Sequence, residues 1–207
     1  MLRILGKSSS INVRKVLWAC DELDLPFAHE QCGSRPGDLT SAGFKALNPN
    51  ALVPVLCDGD FVLWESNSIL RYLANRHGGG ALYPHEARAR ARVDQWLDWQ
   101  VSELNRAWSY AFQAIVRQSP THSDPREVQA SLDAWTRCMS ILDERLAQTG
   151  AYVAGAEFSL ADIAIGLSID RWFETPFARP RVAAVESYCR RLAARRGFAR
   201  YCTSSPL

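Results

Sequence analysis

The chain has 207 residues, 47% of them apolar and 22% charged, which matches globular averages and excludes a disordered or collagen-like polypeptide. Its 24 Lys and Arg against 22 Asp and Glu leave a net charge of +2, too little for the broad basic field that drives nucleic-acid or membrane-surface binding. That length holds one large domain or two small ones, either with a real core.

The first eighty residues read as short alternating elements. Residues 2–6 form an apolar strand, and 12–24 place Val13, Val16, Leu17, Cys20 and Leu23 on one helical face that stops before Pro26. Residues 27–31 give a second strand, and 32–39, with Gly33, Pro36 and Gly37, a loop. A short helix ends at Asn48-Pro49. Residues 53–57 and 61–64 flank Asp58-Gly59-Asp60, a strong hairpin signal, and 66–77 carry Ile69, Leu70, Tyr72 and Leu73 in helical register before Gly78-Gly79-Gly80. This order predicts an α/β domain with a mixed four-stranded sheet over residues 1–79.

From residue 86 no strand signal survives. Residues 86–117, 127–148, 159–172 and 181–195 have apolar side chains at helical spacing, separated by Ser119-Pro120, Gly150 and Thr175-Pro176. The expectation is an all-helical domain over 86–207, with 80–85 as linker. Seven arginines close the chain, from Arg179 to Arg200; without interleaved aromatic platforms they read as a solvated helical face.

The six cysteines contain no CxxC and the four histidines no HxxxH, which argues against a metal site, a dithiol redox centre or a disulfide scaffold. The apolar stretch at the N-terminus is too short for a signal peptide, and the longest uncharged helical run, 107–116, cannot span a bilayer. A soluble cytoplasmic protein with free thiols is expected.

Three segments carry candidate chemistry, each with a structural alternative. Val53-Pro54 at a strand mouth is either a trans proline starting an edge strand or a cis bond that turns the Val53 backbone toward an added peptide strand. Glu65-Ser66, where a strand hands over to a helix, is either a Ser N-cap or a site for a zwitterionic amino-acid end, with the carboxylate on the helix N-terminus and Ser66 and the ammonium on Glu65. In Ser8-Ser9-Ser10-Ile11-Asn12 a polar side chain either caps the first helix or donates to a thiolate at the positive end of its dipole.

These segments, in this order and with LWESNSILRYLA and FSLADIAI further on, resemble the cytosolic glutathione S-transferases of bacterial, serine-type, theta-, zeta- or beta-like character, across essentially the whole chain. The resemblance implies a thioredoxin-like N-terminal domain that binds glutathione as co-substrate, with no metal, and a helical domain that supplies a wall for a small electrophile. It places Ser10 at the thiol-activating serine position, with Asn12 as its rival. Val53 and Pro54 take the position that grips the cysteinyl unit, and Glu65 and Ser66 hold the γ-glutamyl end. Leu52 stands where many classes have a lysine for the glycine carboxylate, so Asn50 or Lys45 is the substitute expected there. Ile11, Trp108, Phe112 and Trp172 fall in regions that face the family's electrophile site, although such aromatic stripes are more often core. Ser159 and Asp162 match the family's helix-initiating box and read as structural.

The implied reaction is attack of a glutathione thiolate on an electrophilic carbon by a homodimeric enzyme. Alternatives are glutathione-dependent reduction of disulfides or peroxides, a maleylacetoacetate-type isomerase, whose Ser-Ser-Cys run Ile11 and Asn12 break, and a non-catalytic glutathione-binding interaction module.

Overall fold

In the computed structural model, which describes residues 1–202, the chain divides into two compact units, one spanning Met1–Pro84 and one beginning at His85. The division falls within the segment expected as a linker. Leu82 and Tyr83 are buried, and their backbone N–H groups donate to the Gly79 carbonyl, so the boundary falls at the end of that turn.

The first unit runs β1 (Leu2–Leu5), α1 (Ile11–Glu22), β2 (Phe27–Glu30), α2 (Ala42–Leu47), β3 (Val55–Asp58), β4 (Phe61–Trp64) and α3 (Ser66–Arg76). Its four-stranded sheet has the order β2-β1-β3-β4, with β1 parallel to β2 and antiparallel to β3. Parallel pairing of β1 and β2 follows from the helical crossover between them, whereas β3 and β4 need only the Gly59-Asp60 turn, where Gly59 takes φ 63°. β3 opens one residue after Pro54, which has no N–H for the ladder. The expected single apolar face of α1 is too narrow a description: Lys15 and Trp18, outside that stripe, are fully buried as well.

The second unit comprises α4 (Ala87–Trp99), α5 (Asn105–Ile115), α6 (Pro125–Thr149), α7 (Leu160–Glu174), α8 (Ala183–Leu192) and α9 (Arg196–Tyr201). One helix expected over 86–117 is interrupted by a π-helical turn, Gln100–Leu104. Gln100 is fully buried there, and its amide donates to Asn105 Oδ1 at 2.8 Å and to Ser168 Oγ at 2.9 Å. A widened turn satisfies this buried amide, a tertiary demand that apolar periodicity does not record.

α6 starts on an Asp124 cap followed by Pro125 and ends at Gly150 with φ 60°. α7 is buried over most of its circumference and begins with a capping box in which Asp162 is a hub. Its carboxylate accepts from Ser159 N (2.8 Å), Ser159 Oγ (2.9 Å), Val153 N (2.9 Å) and Tyr188 OH (2.7 Å). Burial pushes the Asp162 carboxyl up from its ordinary value while these four donors pull it down.

The terminal arginines are not merely a solvated face. Arg191 donates to the carbonyls of Gly150 and Ala151 beyond α6, Arg179 to those of Trp172 and Thr175, and Arg195 lies 3.5 Å from the Phe158 ring centroid. Among the described residues no helix is long and apolar enough to cross a membrane.

Candidate active site

The site begins with a glycine. Gly6 follows β1 at φ 150°, and a Cβ there would lie 2.5 Å from Val13 Cγ2 and 3.0 Å from Val53 Cβ. Only glycine lets the start of α1 and the Val53 loop close on the same point. Around it, Asn12, Asn48, Asn50, Leu52, Val53, Pro54, Glu65 and Ser66 line one pocket. Three stretches that lie far apart in the chain meet there, all within the first unit.

The loop wall is braced from inside. Asn48 is 2% exposed and spans the loop, donating to the Leu52 carbonyl and accepting from the Asn50 backbone and side chain. Ala51 takes φ 55°, and the Val53–Pro54 bond is cis, the sharper of the two readings of that proline. Leu52 is 61% exposed at the rim.

On the opposite wall Glu65 bridges β4 and α3 at φ 71°, ψ 109°, a conformation that a non-glycine residue keeps only where its surroundings impose it. Glu65 is therefore the residue at the N-cap position, and it makes no side-chain cap bond. Ser66 is the first residue of α3 rather than its cap, which frees its hydroxyl from the capping role the sequence allowed. The helix N-terminus, with its excess of unpaired N–H groups, begins at the pocket wall.

Ser10 and Asn12 separate at this point. Ser10 occupies the N-cap of α1 with an extended backbone, but its hydroxyl makes no cap hydrogen bond and it does not line the pocket. Asn12 does line it, and its Oδ1 is buried without a hydrogen-bond partner. An orphaned amide oxygen in a pocket wall is an acceptor open to a donor group of a ligand or an ordered water, and the same amide carries two N–H donors. Of the two candidates for the glycine carboxylate, Asn50 is in the wall and Lys45, exposed on α2, is not.

The residues expected at an electrophile wall are core side chains. Trp172 is fully buried, with its ring 5.1 Å from that of Trp135 and 4.8 Å from that of Phe177. Trp108 and Phe112 are 8% and 4% exposed, and the Arg171 guanidinium sits 4.5 and 4.0 Å from their ring centroids. Ile11 is 3% exposed at the start of α1. Spacing on a helix could not separate a binding face from a core face here, because both are aromatic.

Asn48 is the residue of this site that sequence reasoning missed. Its signal was the Asn-Pro-Asn run, of which Asn48-Pro49 reads as a helix end and only Asn50 as a site residue. All six cysteines are free and all but Cys32 are buried; burial pushes Cys20 up to about 12 and raises Cys32, Cys57 and Cys138. Among the described residues no cluster of His, Cys, Asp or Glu could hold a metal ion.

The sheet order, the cis-Pro loop and the pocket at the start of two helices define a thioredoxin-like domain joined to a helical one. Residues 5–81 match the glutathione S-transferase N-terminal domain family and 106–195 the glutathione S-transferase C-terminal domain family. The chain is 34% identical over 203 residues to Glutathione S-transferase GstB of Escherichia coli (strain K12), covering 89% of this chain and 97% of the relative. It is 33% identical over 146 residues to human glutathione S-transferase theta-1, covering 68% of this chain and 60% of that protein. The theta class glutathione S-transferase of Xanthomonas axonopodis pv. citri, solved with glutathione bound, superposes with a TM-score of 0.90 at 35% identity, over 98% of this chain and 97% of that one. The chain belongs to the glutathione S-transferase family.

Proposed function

We propose that the pocket binds glutathione and that the protein is a glutathione transferase, its bound thiolate attacking the electrophilic carbon of a small, mostly hydrophobic substrate. The convergence of Asn12, Val53, Glu65 and Ser66 on one pocket carries this reading. Ser66 and the N-terminus of α3 receive the γ-glutamyl carboxylate, and Glu65 receives its ammonium. Val53 offers its backbone to the cysteinyl unit as an added strand, and Asn50 faces the glycyl end.

A free thiol with a pKa of about 8.5 is only a few per cent ionised at neutral pH; lowering it by about two units takes roughly 2.7 kcal/mol of preferential stabilisation of the thiolate. A serine hydroxyl or an amide is far too weak a base to remove the proton, so the protein's part is to donate hydrogen bonds to sulfur beside the positive end of α1. The pocket position of Asn12 favours its amide as the principal donor, with the Ser10 hydroxyl second. The same observation supports a second reading, glutathione-dependent reduction of small disulfides or peroxides.

We further read the protein as a cytoplasmic homodimer. Phe61 and Trp64 are 45% and 36% exposed on the edge strand β4, and Val101 and Ile141 are each 44% exposed in the second unit, surfaces that a second copy would cover.

Retention on immobilised glutathione, followed by assays with an aryl halide, an organic peroxide and a mixed disulfide, tests the proposal. Turnover of the aryl halide is the expected result, and turnover of only the other two selects the reductase. Binding without any turnover identifies a non-catalytic module, and no binding sinks the assignment.

A further inference from the structure

Lys15 lies on the side of α1 that faces α3. It has no exposed surface, and its Nζ is 3.4 Å from Ser66 Oγ and 3.2 Å from Asn67 Oδ1. An ammonium is costly to bury, and a hydrophobic side chain of the same length would serve packing alone at lower cost. Two of the groups it meets are acceptors at the start of α3.

A protonated lysine only donates. Ser66 Oγ therefore spends a lone pair on Lys15, and its own O–H is left to point elsewhere, with the pocket that Ser66 lines on its other side. Asn67 presents its oxygen to the same ammonium, which fixes the orientation of its amide. Ser66 and Asn67 are the first two residues of α3. Three sources of positive potential thus coincide behind one patch of wall: the helix N-terminus, a hydroxyl polarised as a donor and a buried ammonium one hydroxyl away from the pocket. None of the eight pocket-lining residues is cationic, and the rim at Leu52 offers no charge to a second carboxylate.

We propose that Lys15 is a positioning residue of this site, whose buried charge acts through Ser66 to make the γ-glutamyl α-carboxylate the dominant affinity-determining group of the ligand. The proposal rests on the glutathione reading of the pocket. It divides the work between two residues of opposite charge: Lys15 beneath the carboxylate, Glu65 beside the ammonium.

Calorimetric binding of glutathione and of 4-aminobutyryl-cysteinyl-glycine, which lacks only the α-carboxylate, tests it in the wild-type protein, Lys15→Met and Ser66→Ala. The wild-type protein should prefer glutathione by about a hundredfold, roughly 2.7 kcal/mol. Lys15→Met should weaken glutathione binding about tenfold or more while leaving the analogue within about twofold, a ligand-selective loss that a packing defect does not produce. An equal loss for both ligands would make Lys15 a packing residue and overturn the proposal. Should Lys15→Met not fold, Ser66→Ala decides: the charge acts through the Ser66 hydroxyl, so the preference for glutathione should fall at least several-fold there, and a preference as large as in the wild-type protein refutes the role of Lys15. Failure of the wild-type protein to bind either ligand is a different outcome, and removes the glutathione reading itself.

Discussion

Asn48 and Leu52 are joined across the pocket loop: the Asn48 Nδ2 donates to the Leu52 carbonyl at 2.8 Å. Asn48 Oδ1 at the same time accepts from the Asn50 N–H at 3.0 Å and from Asn50 Nδ2 at 3.1 Å. One buried amide thus spans the loop that presents Val53, with Ala51 held in a left-handed conformation between its anchor points.

Asn48→Ala is accordingly expected to leave the Leu52 carbonyl and the Asn50 donors without their partner. We expect a loss of about 1–3 kcal/mol of stability and a rise of several-fold in KM for glutathione, with kcat little changed. Urea unfolding and steady-state kinetics on the same preparation check both. An unaltered KM in a destabilised protein would mean that the brace serves the fold and not the site.

The thiol donor is decided by titrating thiolate absorbance of bound glutathione against pH. Asn12→Ala should raise its apparent pKa by about one unit, roughly 1.4 kcal/mol, and lower kcat near neutral pH. Ser10→Ala should do the same to a smaller extent, because Ser10 stands at the N-cap and outside the pocket lining. Since the raised pKa leaves less thiolate at low pH, the loss of activity should shrink as pH rises above it. A larger shift for Ser10→Ala reverses the order of the two residues.

Asp162→Ala removes the acceptor of four hydrogen bonds at the start of α7 and strands the Tyr188 hydroxyl and the Val153 N–H in a dry interior. Destabilisation of about 3 kcal/mol or more is expected, with the pocket chemistry of any surviving folded protein unchanged. Stability indistinguishable from that of the parent chain would contradict the hub.

Light scattering at micromolar protein should give about twice the chain mass of 23.2 kDa. Replacing Phe61 and Trp64 with lysine should shift the population toward single chains if a second copy covers β4. A single-chain mass for the unmodified protein ends the homodimer reading.

Local chemistry made much of this protein readable. Asp58-Gly59-Asp60 dictates the hairpin through its turn, Pro26 and Gly78 end helices, and Ser159 with Asp162 builds its capping box from residues three apart. The order of these signals carried the family resemblance, and with it Val53, Pro54, Glu65 and Ser66, which the fold does bring together. What sequence could not supply depends on which buried face meets which partner. Apolar periodicity treats Lys15 as a break in the stripe of α1, yet its amine finds acceptors about fifty residues further along the chain, in Ser66 and Asn67. It treats residues 86–117 as one helix, because the demand of the buried Gln100 amide is set by Ser168 on another element. It could not distinguish a tryptophan lining a cleft from Trp172 sealed among aromatic neighbours, since burial decides that and burial is a property of the packed chain. Nor could the resemblance rank Ser10 against Asn12: Ser10 is the extended N-cap of α1 and Asn12 lies in its first turn, so only the packing of α1 decides which of them meets the pocket.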